Sequence, residues 1–356
     1  MTRRPRLSPT VGTARNLIRA ALDEARIALG SRILVACSGG TDSLALAATA
    51  AYFEHSGQYR VGAVVVDHGL QPDSADVAES ARTQLAGLGL DGVEVRRVRV
   101  ATTGMGPEAA ARTARYEALD AAVEQQGAAA VLLGHTLDDQ AEQVLLGLAR
   151  GSGTRSLSGM PARRGVYLRP FLGLRRMETE EICRFMGLMP WHDPTNTDPA
   201  LTRSRVRTQV LPYLEDALGP GIAESLYRTS RILAQDAAYL DELAASEYER
   251  LRKPAVSAEA DNTEHDDGAQ LLLSEDALRA LPPAIRQRVL ALAVVELGGV
   301  QPSFERLLAA ENLLRRTGSA GPVQLGGKVS AYRQVRGSRV PQGDPSYGSL
   351  VLRKNL

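Results

Sequence analysis

Between about residue 33 and residue 186 the chain alternates short apolar runs with longer amphipathic stretches. Residues 33–37, 61–66, 93–98 and 129–133 read as strands, and 167–171 as a less regular one. Residues 42–54, 74–88, 107–126, 138–149 and 178–185 read as helices. Uninterrupted apolar strands alternating with helices predict an α/β fold, a parallel sheet with helices on both faces. Ligands of such folds sit beyond the carboxyl ends of the strands. The residues just after each strand are therefore the first candidates for chemistry.

Near 201–218 the alternation stops, and 225–252 reads as one long helix. A polar, acidic stretch at 254–270 has too few large apolar residues to pack and reads as a flexible linker. Helical patterns resume over 274–316, and 322–352 alternates like strands around Gly326, Gly327 and Gly337. The expected organisation is an α/β domain over 1–220, a connecting helix over 221–253, the linker at 254–270, and a smaller, mainly helical domain with a short β-like end over 271–356. No internal repeat is visible.

Composition narrows this picture. At 356 residues and 44% apolar, the chain is long enough for two or three packed domains. A net charge of +1 gives no global field for nucleic acid, so such binding must come from local patches. The basic residues are almost all arginine; the only lysines are Lys253, Lys328 and Lys354. Two cysteines, Cys37 and Cys183, form no CxxC pair, which argues against a disulfide framework or a cysteine-built cluster. The basic start lacks an apolar core, so no secretory signal is expected, and no run of about 18 apolar residues predicts a membrane span. The expected location is cytoplasmic, with no membrane partner.

Ser38-Gly39-Gly40-Thr41-Asp42-Ser43 follows the first strand and opens a helix. Glycines let backbone approach an anion closely, and loop amides at a helix start point toward it. Ser38, Thr41 and Ser43 add hydroxyls. Asp42 would repel a phosphate unless a cation lay between them, which suits Mg²⁺. The plainer reading is a turn in which Asp42 or Ser43 caps the helix. A Walker A loop is excluded because no lysine lies in this domain.

Other stretches sit at later strand ends. Asp67-His68-Gly69-Leu70 ends the second strand, where Asp67 is either a ribose or adenosine contact or a turn residue. Arg112 and Arg115 are neighbours on one helix surface, and Glu108 to Arg112 is open to reading as a surface pair. Gly134-His135-Thr136-Leu137-Asp138-Asp139-Gln140-Ala141-Glu142 follows the fourth strand. Thr136 can cap that helix, yet capping does not call for His135 and three carboxylates together. Asp138, Asp139 and Glu142 are spaced to present oxygens near one point, for Mg²⁺ or an ammonium group. Arg203, Arg205 and Arg207 alternate along the chain, either as a phosphate-backbone contact or as a solvated face.

The first of these motifs resembles the SGGxDS loop of ATP pyrophosphatases, which split ATP into AMP and pyrophosphate. The ordered set of 67–70, 108–116, 134–142, 193–196 and 203–207 resembles the DHGL, ExxARxxRY, GHTxDDQAE, DPTN and RxRxR stretches of the tRNA(Ile)-lysidine synthetase family. Gln71, Gln143, Ser204 and Cys37 depart from residues common there. The resemblance implies an adenine nucleotide alpha-hydrolase-like fold and a ligase using ATP and Mg²⁺. Its substrates would be the wobble cytidine of a CAU-anticodon tRNA(Ile) and free L-lysine, and a homodimer stays open.

It further implies that Ser38 to Ser43, Asp67 and His68 bind ATP, with Asp42 and Asp139 near the metal. Asp42, Arg112, Arg115, His135, Asp138, Asp139 and Glu142 would act in catalysis, and Arg203, Arg205 and Arg207 would contact tRNA. The nearest rival is a tRNA thiolation enzyme of the same superfamily, which Cys37 and Cys183 do not equip with a CxxC pair.

Overall fold

The computed structural model describes residues 8–69, 71, 73–100, 106–151, 153–254, 269–333 and 348–355. Leu70, most of the acidic segment expected at 254–270, and the basic stretch beyond Arg333 lie outside the described residues. The chain divides into two compact units, Met1–Ala234 and Gln235–Leu356.

The first unit opens with helix α1 (Pro9–Glu24), where the pattern predicted no element. Pro9 suits a helix start. Val11, Ala14, Ile18 and Leu22 recur at helical spacing and are buried. Then follow β1 (Arg32–Cys37), α2 (Thr41–His55), β2 (Arg60–Asp67), α3 (Ser74–Gly87), β3 (Val93–Arg97), α4 (Pro107–Gln126), β4 (Ala130–Leu133) and α5 (Leu137–Ala149). Shorter pieces come next: α6 (Thr154–Leu157), β5 (Arg163–Arg164), β6 (Tyr167–Leu168), α7 (Arg176–Phe185), α8 (Thr202–Arg205), a π-helical turn (Val206–Val210) and α9 (Leu211–Leu218). Helix α10 (Ile222–Leu251) runs across the division between the units.

The sheet order is β3-β2-β1-β4-β6-β5. It is parallel except for the edge pair β5 and β6. β1 lies between β2 and β4, with Val35 opposite both Ala63 and Leu132. The two faces of the strands feed two cores. Ile33, Val35, Val61, Ala63, Ala130 and Leu132 pack with α1, α2 and α7, where Phe53 and Phe171 are fully buried. Leu34, Val64, Val131 and Leu133 face the other way, onto Leu119 and Ala122 of α4. This period-two partition between two apolar faces is why the strands read as unbroken apolar runs.

The second unit holds α11 (Glu275–Ala280), α12 (Pro283–Glu296) and α13 (Phe304–Leu313) beside an antiparallel sheet ordered β7-β8-β11-β10-β9. Its strands are β7 (Arg252–Pro254), β8 (Gln270–Ser274), β9 (Val323–Gly326), β10 (Val329–Arg333) and β11 (Ser349–Lys354). The sheet is larger than the sequence pattern suggests, because β7 and β8 are short and flank the acidic segment. Leu271 and Leu273 of β8 pack with Val289, Val294, Leu307 and Leu350.

One glycine sets the distance between two strand ends. A Cβ on Gly134, just past β4, would stand 3.0 Å from the backbone of Asp42 and Ser43. Those atoms belong to the start of α2 and cannot rotate away. Gly134→Ala should cost about 1–3 kcal/mol of stability in denaturant unfolding, as overpacking does. Gly153→Ala, where a Cβ meets nothing within 4 Å, is the control. Equal midpoints for the two variants would show that the β4 end has slack.

Candidate active site

The loop after β1 turns on Gly39, whose φ of 80° is left-handed and favours glycine. Ser43 closes the loop from inside. Its hydroxyl accepts from the Ser38 amide at 3.1 Å and donates to the Gly40 carbonyl at 2.9 Å. It is buried, and here its hydroxyl is turned to the loop's own backbone. Ser38, Gly39, Gly40 and Thr41 remain as the lip of the loop. The Trp191 amide donates to the Gly39 carbonyl at 2.9 Å and seats the 191–196 segment against it. Gln71 joins the same segment through Asp193 at 3.1 Å.

Asp42 stands in the first turn of α2 but caps nothing, since Gly40 is the N-cap residue. Its carboxylate accepts from Thr179 Oγ1 at 2.5 Å and Arg176 Nε at 3.4 Å. Burial raises the Asp42 carboxyl above the usual carboxylate range. Arg176 pulls it down and the charge of Asp139 pushes it up.

Asp42 and Asp139 both pair with Arg176 next to a phosphate-type loop, and with that guanidinium turned aside the two carboxylates suit Mg²⁺. That ion takes one or two protein carboxylates and completes its shell with phosphates and water. Among the described residues no group of three or more such side chains stands ready to hold a metal alone.

Helix α5 carries the acidic cluster, and the structure divides it. Thr136 and Asp139 form a capping box. The Thr136 amide donates to Asp139 Oδ2 at 2.9 Å, and the Asp139 amide donates back to Thr136 Oγ1 at 3.5 Å. The other oxygen of Asp139 accepts from Arg176 and Arg207, each at 3.1 Å. Burial alone would raise this carboxyl. Arg176, Arg203 and the Thr136 amide outweigh it, so Asp139 lies below the usual range. Glu142, with no exposed side-chain surface, is gripped by Arg203 Nε at 2.9 Å and Arg207 Nε at 2.7 Å.

Asp138 does not join them, which corrects the expectation of three converging carboxylates. It points to the start of α7, accepting from the Arg176 amide at 2.7 Å and pairing with Arg175 at 3.2 Å.

The three arginines, read as a phosphate-backbone contact or a solvated face, point in different directions. Residues 202–210 are helical, not extended. Arg203 and Arg207, four apart, face inward onto Glu142. Arg205 turns to the carbonyls of Pro199 and Ala200 at 2.7 and 3.0 Å.

On the far side of β1, Asp67 is buried and engaged by the Gly69 amide at 2.9 Å and Arg97 at 3.0 Å. The turn reading of Asp67 is therefore realised. His68 Nε2 accepts from Arg115 Nε at 3.2 Å, so the motifs at 67 and 115 meet. Burial, and then Arg115, lower the His68 pKa to about 4. Burial also lowers His135 to about 4, with Arg169, Arg203 and Arg112 adding to it against Asp139. Both rings are neutral near pH 7, and among the described residues the buried Nδ1 of each has no hydrogen-bond partner. Arg112 lies over the Tyr116 ring, 5.3 Å from its centre.

The sequence reading passed over Arg176, Thr179 and Arg169. Arg169 is buried beyond β6 and donates to the Pro161 carbonyl at 2.8 Å and to Tyr116 at 3.4 Å. Its place just after a strand was the available signal. Arg176 and Thr179 open a helix that the pattern began two residues late.

A family profile described as a PP-loop domain, ATP_bind_3, matches residues 13–214, and the TilS substrate binding domain matches 273–336. The chain is 50% identical over 308 residues to the tRNA(Ile)-lysidine synthase of Leifsonia xyli, covering 86% of this chain and 89% of that one. It is 49% identical to that of Thermobifida fusca, covering 79% and 82%. Among solved structures, the U34-tRNA thiolase NcsA of Methanococcus maripaludis is similar at a TM-score of 0.52 and 18% identity. That match covers 63% of this chain and 80% of the thiolase, a likeness of fold alone. By the identity and coverage of these relatives, the chain belongs to the tRNA(Ile)-lysidine synthase family.

Proposed function

We propose that this enzyme, a carbon–nitrogen ligase, makes lysidine at the wobble cytidine of CAU-anticodon tRNA(Ile) in two steps. In the first, the carbon-2 oxygen attacks the α-phosphate of ATP and pyrophosphate leaves. In the second, the side-chain amine of free L-lysine attacks carbon 2, the carbon–oxygen bond breaks and AMP leaves. One observation carries the reading: Asp139 and Glu142, two buried carboxylates clamped by cations, share Arg176 with the Asp42 that follows the loop. An amine-binding site beside a pyrophosphate-binding loop is what this chemistry requires.

The lip of the loop would hold the departing pyrophosphate through the Gly40 and Thr41 amides at the start of α2, since the Ser38 and Gly39 amides donate inside the loop. Asp42, with Asp139 behind it, would hold Mg²⁺, which supplies charge neutralisation to the phosphates. Arg112 and Arg115 would face the α-phosphate, while Asp67 keeps the 67–69 turn in shape and His68 borders the adenosine. Asp139 is held ionised, so its part is to orient the lysine ammonium as a counter-ion, with Glu142 behind it. A carboxylate stabilised this far is a poor base. His135 is neutral in the working range and offers its Nδ1 to the reacting groups. Arg205 and the second unit would contact tRNA.

A tRNA thiolation reading needs a reactive sulfur. Burial raises the Cys37 thiol, and burial with Asp42 pushes Cys183 up to about 12, so neither ionises near neutrality.

The direct test incubates the protein with labelled lysine, ATP and either CAU tRNA, for isoleucine or methionine. Label is expected in the isoleucine tRNA only, and labelling of neither would overturn the proposal. Asp139→Asn should cut lysine incorporation about 10- to 100-fold, the worth of a hydrogen bond to a charged group, with a smaller effect on pyrophosphate release. Unchanged incorporation would remove Asp139 from the amine site.

The arginines should separate in a third experiment. Arg205→Ala should flatten the salt dependence of tRNA binding by about one unit of slope. Arg207→Ala should instead cost about 1–3 kcal/mol in unfolding, because it takes one of three cations from buried Glu142. Matching behaviour of the two variants would show that the inward and outward arginines act alike.

A further inference from the structure

Among the described residues, Arg176 is the one side chain that pairs with Asp42 as well as with Asp139 and Glu142. Its guanidinium lies 3.4 Å from Asp42, 3.1 Å from Asp139 and 3.7 Å from Glu142. Resting on the reading of Asp139 and Glu142 as the lysine site, we propose that Arg176 sets the order of substrate binding. It occupies the ammonium position until the triphosphate of ATP draws it away, so that lysine enters after ATP.

Charge counting favours the exchange in the nucleotide-free site. Asp42, Asp139 and Glu142 carry three negative charges, and Arg176, Arg203 and Arg207 carry three positive ones. A lysine ammonium added to this balanced cluster is a fourth cation in a largely buried space, where like charges repel strongly. With no nucleotide bound, one cation has to leave before lysine can enter, and contact lengths decide which.

Arg203 and Arg207 hold Glu142 at 2.9 and 2.7 Å. Arg176 spreads longer contacts over three carboxylates. When it leaves, Glu142 keeps two partners, and Asp139 keeps Arg207 and the Thr136 amide.

The departure needs only side-chain rotation. The Arg176 amide is pinned by Asp138 at 2.7 Å, which fixes the start of α7 and leaves the side chain free to turn about it. The destination is close, because Asp42 directly follows the loop lip at Thr41. A bound triphosphate there offers several oxygens in the planar geometry a guanidinium prefers. The same turn that vacates the ammonium position would place a cation beside the phosphates. Occupancy of one site is thereby linked to occupancy of the other.

Calorimetric titration of the full-length protein with L-lysine, with and without a non-hydrolysable ATP analogue and Mg²⁺, tests this without turnover. In the wild type the analogue should tighten lysine binding about tenfold, and lysine should tighten the analogue by the same factor. In Arg176→Gln the two lysine affinities should converge, through tighter binding in the absence of nucleotide. Arg176→Lys keeps the charge but loses the fork that spans three carboxylates. Its coupling should fall at least about threefold, which keeps the test standing if the glutamine variant does not fold. Undiminished coupling in both variants, or none in the wild type, would overturn the role of Arg176. No lysine binding by any of the proteins would instead overturn the assignment of Asp139 and Glu142 as the lysine site.

Discussion

Glu142 is a carboxylate with no exposed side-chain surface, and keeping it charged constrains everything around it. An unpaired buried carboxylate costs several kcal/mol, so the fold must bring cations to it. They come from a segment about sixty residues later. Arg203 and Arg207 are one helical turn apart and reach the same carboxylate, which requires residues 202–210 to be helical and to lie along α5. The segment becomes π-helical from Val206, a departure from regular helix often found at functional sites. Val206 and Leu211 then bury themselves with Leu137 and Ala141 of α5, so charge pairing and apolar packing hold the segment in one place.

From that pairing the rest of the site follows outward. Asp139 shares Arg207 with Glu142 and Arg176 with Asp42, so three carboxylates from α2 and α5 are tied by cations from α7 and the 202–210 segment. Such a network is rigid while complete and costly when broken at one member. It also places opposite chemistries side by side: a loop built to receive phosphates, and a carboxylate pair built to receive a cation. An adenylating enzyme that ends its cycle with an amine needs both. Exchange of one cation for another lets the second substrate enter without leaving a buried charge exposed.

The sheet and most of its helices were legible because their signals are local. The strand runs and the helix over Pro107–Gln126 depend on residues a few positions apart. Helix α1 was missed although its buried positions have clean helical spacing, and β7 and β8 are too short to stand out. The site was legible in its motifs and illegible in its pairings. Arg176 meets Asp42 across 134 positions and Asp139 across 37. No spacing rule relates residues that far apart, and a single arginine at a helix start looks like any surface charge.

The plain and the functional readings of a residue also proved compatible, which local reasoning tends to set against each other. Asp139 closes a capping box with one oxygen and meets two guanidinium groups with the other. The capping bond fixes the rotamer, and the fixed rotamer aims the free oxygen at the cations, so the structural role is what makes the electrostatic one dependable. Ser43 shows the converse. Its hydroxyl belongs to a motif that receives phosphates, yet here it is turned to the Gly40 carbonyl. Its contribution is the shape of the loop, whose Ser38 amide it takes up itself. Membership of a motif therefore says that a residue matters to the site. Only the count of its donors and acceptors says whether it faces the ligand or holds the groups that do.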